Sequence, residues 1–378
     1  NALVDAAGGN ISFNASYAAT GIAGTNTANY DNLIRFSQDS RVITNGSGTI
    51  SIIADGTNNT ATGNAVWTIS LLANNCRIQT ASGAITIDGT GGKSSSNSRG
   101  IVSDGYSALI LSTSGPISVI DRKPVGYTGV TYAGLYLRPT STSNFIFGAD
   151  GTNVANSSSP ITIQSDRFYV DTTSPRSIEF KTSGAFVLEP LSSSFDLINL
   201  GGFTLTGNPS SVRIGKSTNT TNITISTPIT ANGPISVFGG AIAINGALTA
   251  TSNNVTFQAT GAVTQTAAIS ATDLNLTGAG SFTLANTSNT VSKIIAGSST
   301  TAVTSLDYVN TGALTIGDTS FGVRATNAVQ VRTLSSNLTV AQSVSSALST
   351  GTAITLAANT ALAANANCDN TISGGNII

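Results

Sequence analysis

The 378-residue sequence contains no histidine and no methionine, and charge is scarce, with 16 Lys+Arg against 17 Asp+Glu. That is 9% of the chain, where a soluble domain ordinarily carries about 25%. Each absence excludes something. Without histidine there is no imidazole base and no imidazole metal ligand. A net charge of −1 supplies no surplus of Lys and Arg to neutralise phosphates, so neither nucleic acid nor an anionic membrane is an expected partner. No apolar run approaches the ~20 residues of a membrane span. No cofactor-binding or metal-binding pattern emerges, and no cofactor is expected.

What is present is 39 Gly, 40% hydrophobic residues, and much Ser, Thr, Asn and Ala. The hydrophobic fraction is enough to bury a core, unlike that of a disordered tail. With Asn1 at the start and no methionine anywhere, the chain reads as a mature or excised segment of a longer precursor.

A helical reading fails, because Ala-rich stretches such as 341–366 lack the Glu and Lys that coat an exposed helix face. Apolar, small polar, apolar triplets recur instead: Ile85-Thr-Ile87, Ile161-Thr-Ile163, Ile235-Ser-Val237, Leu274-Asn-Leu276 and Val329-Gln-Val331. Period-2 alternation with β-branched residues marks short, half-buried strands. Turn pairs separate them, including Asn45-Gly46, Asp88-Gly89, Asp150-Gly151 and Asn245-Gly246.

Strand spacing selects the architecture. One series runs Ile235, Val255, Leu274, Ile294 and Leu314, at intervals of 20, 19, 20 and 20 residues. A second runs Ile242, Val263, Phe282, Val303 and Val323. A unit of about 20 residues with two or more short strands cannot bury its apolar face alone and must stack on its neighbours. The expected fold is all-β, a right-handed parallel β-helix with coils of about 20 residues. Some 15 to 19 such coils would form a rod on the order of 70–90 Å long. Residues 1–200 read as irregular coils with extruded loops, and 201–378 as regular coils continuous with them. The predicted loops are Gly56–Gly63, Gly89–Arg99, Tyr127–Tyr132 and Asp150–Pro160.

The segments Gly261-Ala-Val-Thr-Gln-Thr-Ala-Ala-Ile-Ser-Ala-Thr-Asp-Leu-Asn-Leu-Thr277, Phe282-Thr-Leu-Ala-Asn-Thr-Ser-Asn-Thr-Val291 and Asn310-Thr-Gly-Ala-Leu-Thr-Ile316 resemble a known repeat. It is that of the shaft of filamentous-haemagglutinin-like, two-partner-secreted adhesins of Gram-negative bacteria. The resemblance covers about residues 200 to 360. It implies a secreted β-helical stalk, exported through an outer-membrane pore and displayed on the bacterial cell surface. Its partners would be a host or neighbouring-cell surface, and either further copies stacked end to end or the rest of a longer chain. A self-assembling subunit of an extracellular filament or sheath is the alternative, and a glycan-cleaving β-helix enzyme is the third reading.

Site chemistry is sparse. Gly215-Lys-Ser-Thr218 and Gly91-Gly-Lys-Ser94 resemble the end of a phosphate loop, but the required upstream glycine is replaced by Ser210 and Ile87. Carboxylates concentrate at Asp166, Asp171, Glu179 and Glu189, the best ground for glycan cleavage, although such spacing places them on different faces of a coil. The chain is therefore not expected to be an enzyme. Tyr106, Arg122, Lys123, Tyr127, Tyr132, Tyr136 and Arg138 form the one cluster suited to recognition, since Tyr and Arg are enriched at binding hot spots. Trp67 and Arg99 belong to the same decorated half. Cys76 and Cys368 are 292 residues apart, too many coils for an internal bridge. They are either buried or available to link successive molecules.

Overall fold

The computed structural model describes residues 2–16, 30–36, 39–58, 65–71, 76–93, 98–104, 108–125, 127, 134–138, 145–170, 177–359 and 372–373. The described residues form strands and turns with no helix, and every strand pairing among them is parallel, as the alternation demands. The chain divides into two compact units, Asn1–Pro209 and Ser210–Ile378.

The first unit is a β-solenoid with three strands per coil. Sheet A stacks Leu3–Asp5, Arg41–Ile43, Cys76–Thr80, Ala108–Ser112, Phe145–Gly148, Ile178–Lys181 and Phe203–Thr206. Sheet B stacks Ile11–Ser16, Ile50–Asp55, Ile85–Thr90, Ile117–Arg122, Ile161–Ser165 and Ala185–Glu189. Sheet C stacks Tyr30–Phe36, Ala65–Leu71, Arg99–Asp104, Leu135–Arg138, Arg167–Val170 and Leu197–Asn199.

Alternate residues of each strand point inward and meet their equivalents one coil away. Ile11, Ile50, Ile85, Ile117, Ile161 and Phe186 are register partners in turn, a ladder buried throughout. Each such side chain contributes about 1.5–3 kcal/mol on burial. In the later coils phenylalanines take over, with the rings of Phe147 and Phe180 stacked at 4.7 Å.

Backbone contact forms the corner between sheets A and B. Gly48, Gly83 and Gly115 each begin a Gly-x-Ile step into sheet B, and a Cβ on Gly115 would lie 1.8 Å from the Gly83 carbonyl oxygen. Beside them the buried hydroxyls of Thr44, Thr80 and Ser159 donate to the carbonyls of Gly9, Gly48 and Ser112 at 2.8, 2.8 and 3.0 Å. Corner carbonyls that no strand partner reaches are thereby satisfied.

The rungs of this unit are further apart in sequence than the expected 20 residues. They run from 25 (Ile161 to Phe186) to 44 (Ile117 to Ile161), because a third strand and long turns occupy each coil. Asp88-Gly89 is not a turn. Both residues lie within the strand Ile85–Thr90, where Gly89 packs against Gly100.

The second unit is a β-solenoid of shorter coils. Ile223, Ile242, Val263, Phe282, Leu306, Val329 and Ile354 are successive partners in one seven-stranded sheet. Its other strands include two long ones, Ile269–Thr277 and Thr290–Ala296, each pairing at its start and its end with different segments.

Both predicted series hold at first and then slip. Phe282 pairs with Leu306 rather than Val303, and Ile294 pairs with Ile316 rather than Leu314. The cause is a turn at Ser298–Thr301, closed by the Ser298 N–H to the Thr301 carbonyl at 2.7 Å, which lengthens that coil. Val303 forms an isolated bridge to Ala325 instead.

Buried asparagines clamp a corner of this unit. The Asn289 side chain accepts from the Ile269 N–H at 2.9 Å and donates to the Leu284 and Val309 carbonyls at 3.1 and 3.0 Å. Asn310 repeats the arrangement, accepting from Val291 and donating back to its carbonyl.

Candidate functional site

The chemically richest surface lies on sheet C of the first unit. Tyr136 and Tyr169 each sit between two inward apolar residues, Leu135 and Leu137 or Phe168 and Val170, so both rings project outward. They are register partners, and the coil repeat stacks their rings at 5.5 Å with an interplanar angle of 3°. The Arg99 guanidinium is 3.8 Å from the Tyr136 ring centroid and 5.2 Å from that of Trp67. Trp67 is the register partner of Arg99, and Tyr136 packs against Trp67 and Val102. The result is a column of ring, cation, ring and ring. Cation–π contacts contribute about 0.5–2 kcal/mol each, most where water is excluded.

Arg167 lies two residues before Tyr169 on the same face and pairs in register with Leu197. Arg99, Tyr136, Arg167, Tyr169 and Leu197 line a groove of about 180 Å³. No carboxylate is among these lining residues. The Arg167 Nε is buried without a hydrogen-bond partner among the described residues.

Of the described members of the cluster anticipated from sequence, Tyr136 lines this groove and Arg122, Lys123, Tyr127 and Arg138 do not. Arg138 ends the same strand and is the register partner of Asp104. Arg122 belongs to sheet B, where it donates two hydrogen bonds to the Asp88 carboxylate at 2.8 and 2.9 Å. Lys123 stands 3.8 Å from Asp196 and 5.8 Å from the Tyr127 ring, beside the 85% exposed Val125. Tyr106 and Tyr132 lie outside the described residues. Cys76 occupies the inner side of sheet A, buried and free, and burial pushes its thiol pKa up to about 12. An intermolecular bridge there would require its strand to leave the coil. Cys368 lies outside the described residues.

Arg167 and Tyr169 carry the groove but were not singled out from sequence. The legible signal is the shared apolar-Tyr-apolar triplet at Tyr136 and Tyr169, which marks both rings as outward at one strand position.

The carboxylates are dispersed among other duties. Asp166 accepts the Ser192 N–H at 2.7 Å, Glu179 the Thr206 hydroxyl at 2.8 Å, and Glu189 the Gln164 amide at 2.9 Å. Glu179 is on sheet A and Glu189 on sheet B, and Asp171 lies outside the described residues. Asp150 folds its own turn, accepting the N–H groups of Thr152, Asn153 and Val154 at 3.0, 2.8 and 3.0 Å. The Gly215–Thr218 turn is filled by Asn219, which donates to the Phe238 carbonyl at 2.7 Å. Among the described residues no group of three or more acidic, Cys or His side chains is placed to hold a metal ion. Nor, among the described residues, is any helix long and apolar enough to cross a membrane.

The fold and this face define the class of molecule, an all-β parallel β-solenoid with a cationic, aromatic outer groove. Comparison with protein-family models, with curated proteins and with solved structures returned no match.

Proposed function

We propose that the chain is a structural and adhesive segment of a secreted bacterial surface protein, a β-helical element that carries a recognition face outward from the cell. One observation carries this reading. Backbone hydrogen bonds pass from coil to coil in unbroken register within each unit, for example from Ile11 through Ile161 in sheet B. Stacking of this kind extends a surface by repetition, and the outward positions are left to polar side chains, to cross-coil ion pairs such as Asp88–Arg122 and Asp273–Lys293, and to the Arg–Tyr column. The resemblance of residues 200 to 360 to adhesin shafts supports the same assignment.

The test is attachment. Beads coated with the folded chain should adhere to cells or to extracellular matrix above beads coated with a heat-unfolded control. Equal retention of the two would overturn the adhesive role.

A filament subunit is the second reading, because the parallel pairing that joins one coil to the next within each unit can in the same way join one copy to another. Electron microscopy without denaturant distinguishes the two, since continuous fibres would establish the subunit and dispersed particles the adhesin segment.

A further inference from the structure

The groove beside the aromatic column has the chemistry of a specific receptor. Its two cations, Arg99 and Arg167, are guanidiniums, which recognise planar anions in a bidentate manner that Lys does not reproduce. The Arg99 guanidinium carbon lies 3.8 Å from the Tyr136 ring centre, so its position is set before any ligand arrives. The faces of Tyr136 are already engaged by Arg99 and Tyr169. What the Tyr136 ring offers a ligand is its edge and hydroxyl, and Leu197 adds an apolar wall.

The groove is open to solvent, so its volume sets the part of a ligand that it seats rather than the whole occupant. About 180 Å³ equals roughly six water molecules at ~30 Å³ each, well below the ~300 Å³ at which drug-sized pockets begin. A charged group and the ring that bears it fill such a space.

Peptide recognition usually works through the main chain, by adding a strand to a free edge or by capturing a carboxylate in backbone N–H groups. Here the strands Leu135–Arg138 and Arg167–Val170 are paired on both sides within one sheet, so their backbone groups are committed, while Leu197–Asn199 is the last strand of that sheet among the described residues. At the two arginines side chains alone do the recognising, which favours a compact acid with hydroxyl groups of its own.

We propose that this groove binds a carboxylate borne on a sugar ring, an acidic monosaccharide unit of a glycan, with Arg167 and Arg99 as the carboxylate ligands. The inference rests on the adhesive reading above and names the chemistry that it would recognise.

Titration calorimetry of the full chain with methyl glucuronide, N-acetylneuraminate, methyl glucoside and a short peptide with a free C-terminus tests it. Expected is binding of one or both acidic sugars that weakens with added salt, with no binding of the neutral glucoside. Arg167→Gln should weaken the acidic sugar at least about tenfold, the scale of one lost hydrogen bond to a charged group. An unchanged Trp67 emission spectrum shows that this variant is folded, and Arg99→Lys supplies a second variant that keeps the charge but loses the fork. Which acidic sugar binds identifies the source of the carboxylate. Equal affinity for the glucoside, an unaffected Arg167→Gln, tighter binding of the peptide, or no binding of either acid overturns the proposal. Cell attachment separates the two levels: adhesion by wild type that Arg167→Gln retains in full removes the groove and leaves the adhesive reading. Sugar binding without any adhesion does the reverse.

Discussion

Gly83 rests directly on Gly48, so that a Cβ at position 83 would lie 1.9 Å from the Gly48 carbonyl oxygen. Nothing flexible stands in the way to yield. The obstructing atoms are backbone, and the neighbouring Thr80 hydroxyl is bonded to that same carbonyl.

Gly83→Ala must therefore pry two coils apart. The expected loss is about 3 kcal/mol, the upper range for overpacking a close contact, read as a shift of the urea midpoint. Gly312, whose added Cβ would meet nothing within 4 Å, is the control, and Gly312→Ala should stay within about 0.5 kcal/mol of wild type. Equal stability of the two variants would show that the corner is looser than described.

The chain has one tryptophan, so its fluorescence reports on the buried surroundings of Trp67, the Arg–Tyr column included. Arg99→Ala removes the cation lying between the rings of Trp67 and Tyr136. It should red-shift the emission and cost about 1–2 kcal/mol. An unshifted spectrum would mean that Trp67 is shielded by other contacts.

Cys76 is the register partner of Ala108 and faces the core. With its thiol pKa pushed up to about 12 by burial, almost no thiolate exists at pH 8, and the thiolate is the reactive form. Native protein should leave Cys76 unlabelled by a thiol reagent, and denaturant should expose it. Peptide mapping assigns the label, and rapid native labelling at Cys76 would contradict the burial.

Asp150 shows a lowered pKa. Burial is the largest single influence and raises it, but the hydrogen bonds from Val154, Asn153 and Thr152 together outweigh burial. A carboxyl with a depressed folded-state pKa contributes stability that is present above its unfolded value, about 3.9, and lost as pH falls through the folded value. Wild type should lose stability at acid pH more steeply than Asp150→Ala, with no difference in slope between pH 5 and 8. The substitution itself should cost about 1 kcal/mol, as for a lost helix-cap acceptor. Parallel acid titrations of the two proteins would refute the turn's dependence on this carboxylate.

The parallel strands were legible in the Ile-Thr-Ile alternation, and the period of the second unit was legible as far as Phe282 in one series and Ile294 in the other. Beyond these, the turn at Ser298–Thr301 added residues that a fixed interval cannot register. In the first unit the interval between rungs varies too widely to reveal itself. The constant feature is the corner, Gly48-Thr-Ile50, Gly83-Ala-Ile85 and Gly115-Pro-Ile117, rather than the spacing. Tyr136 was recognisable as an aromatic residue near arginines. Arg122 and Lys123 were grouped with it by linear proximity, although one belongs to sheet B and the other to a turn. Tyr169 and Arg167, a full coil downstream, join Tyr136 only because register partners stack.

The glycine corner also governs how such a chain can be assembled. Each corner glycine docks on a carbonyl of the coil before it, so the instructions for placing a coil reside in its immediate predecessor. Folding can then advance in one direction as the polypeptide emerges, each completed turn serving as the template for the next, without waiting for the far end to be synthesised.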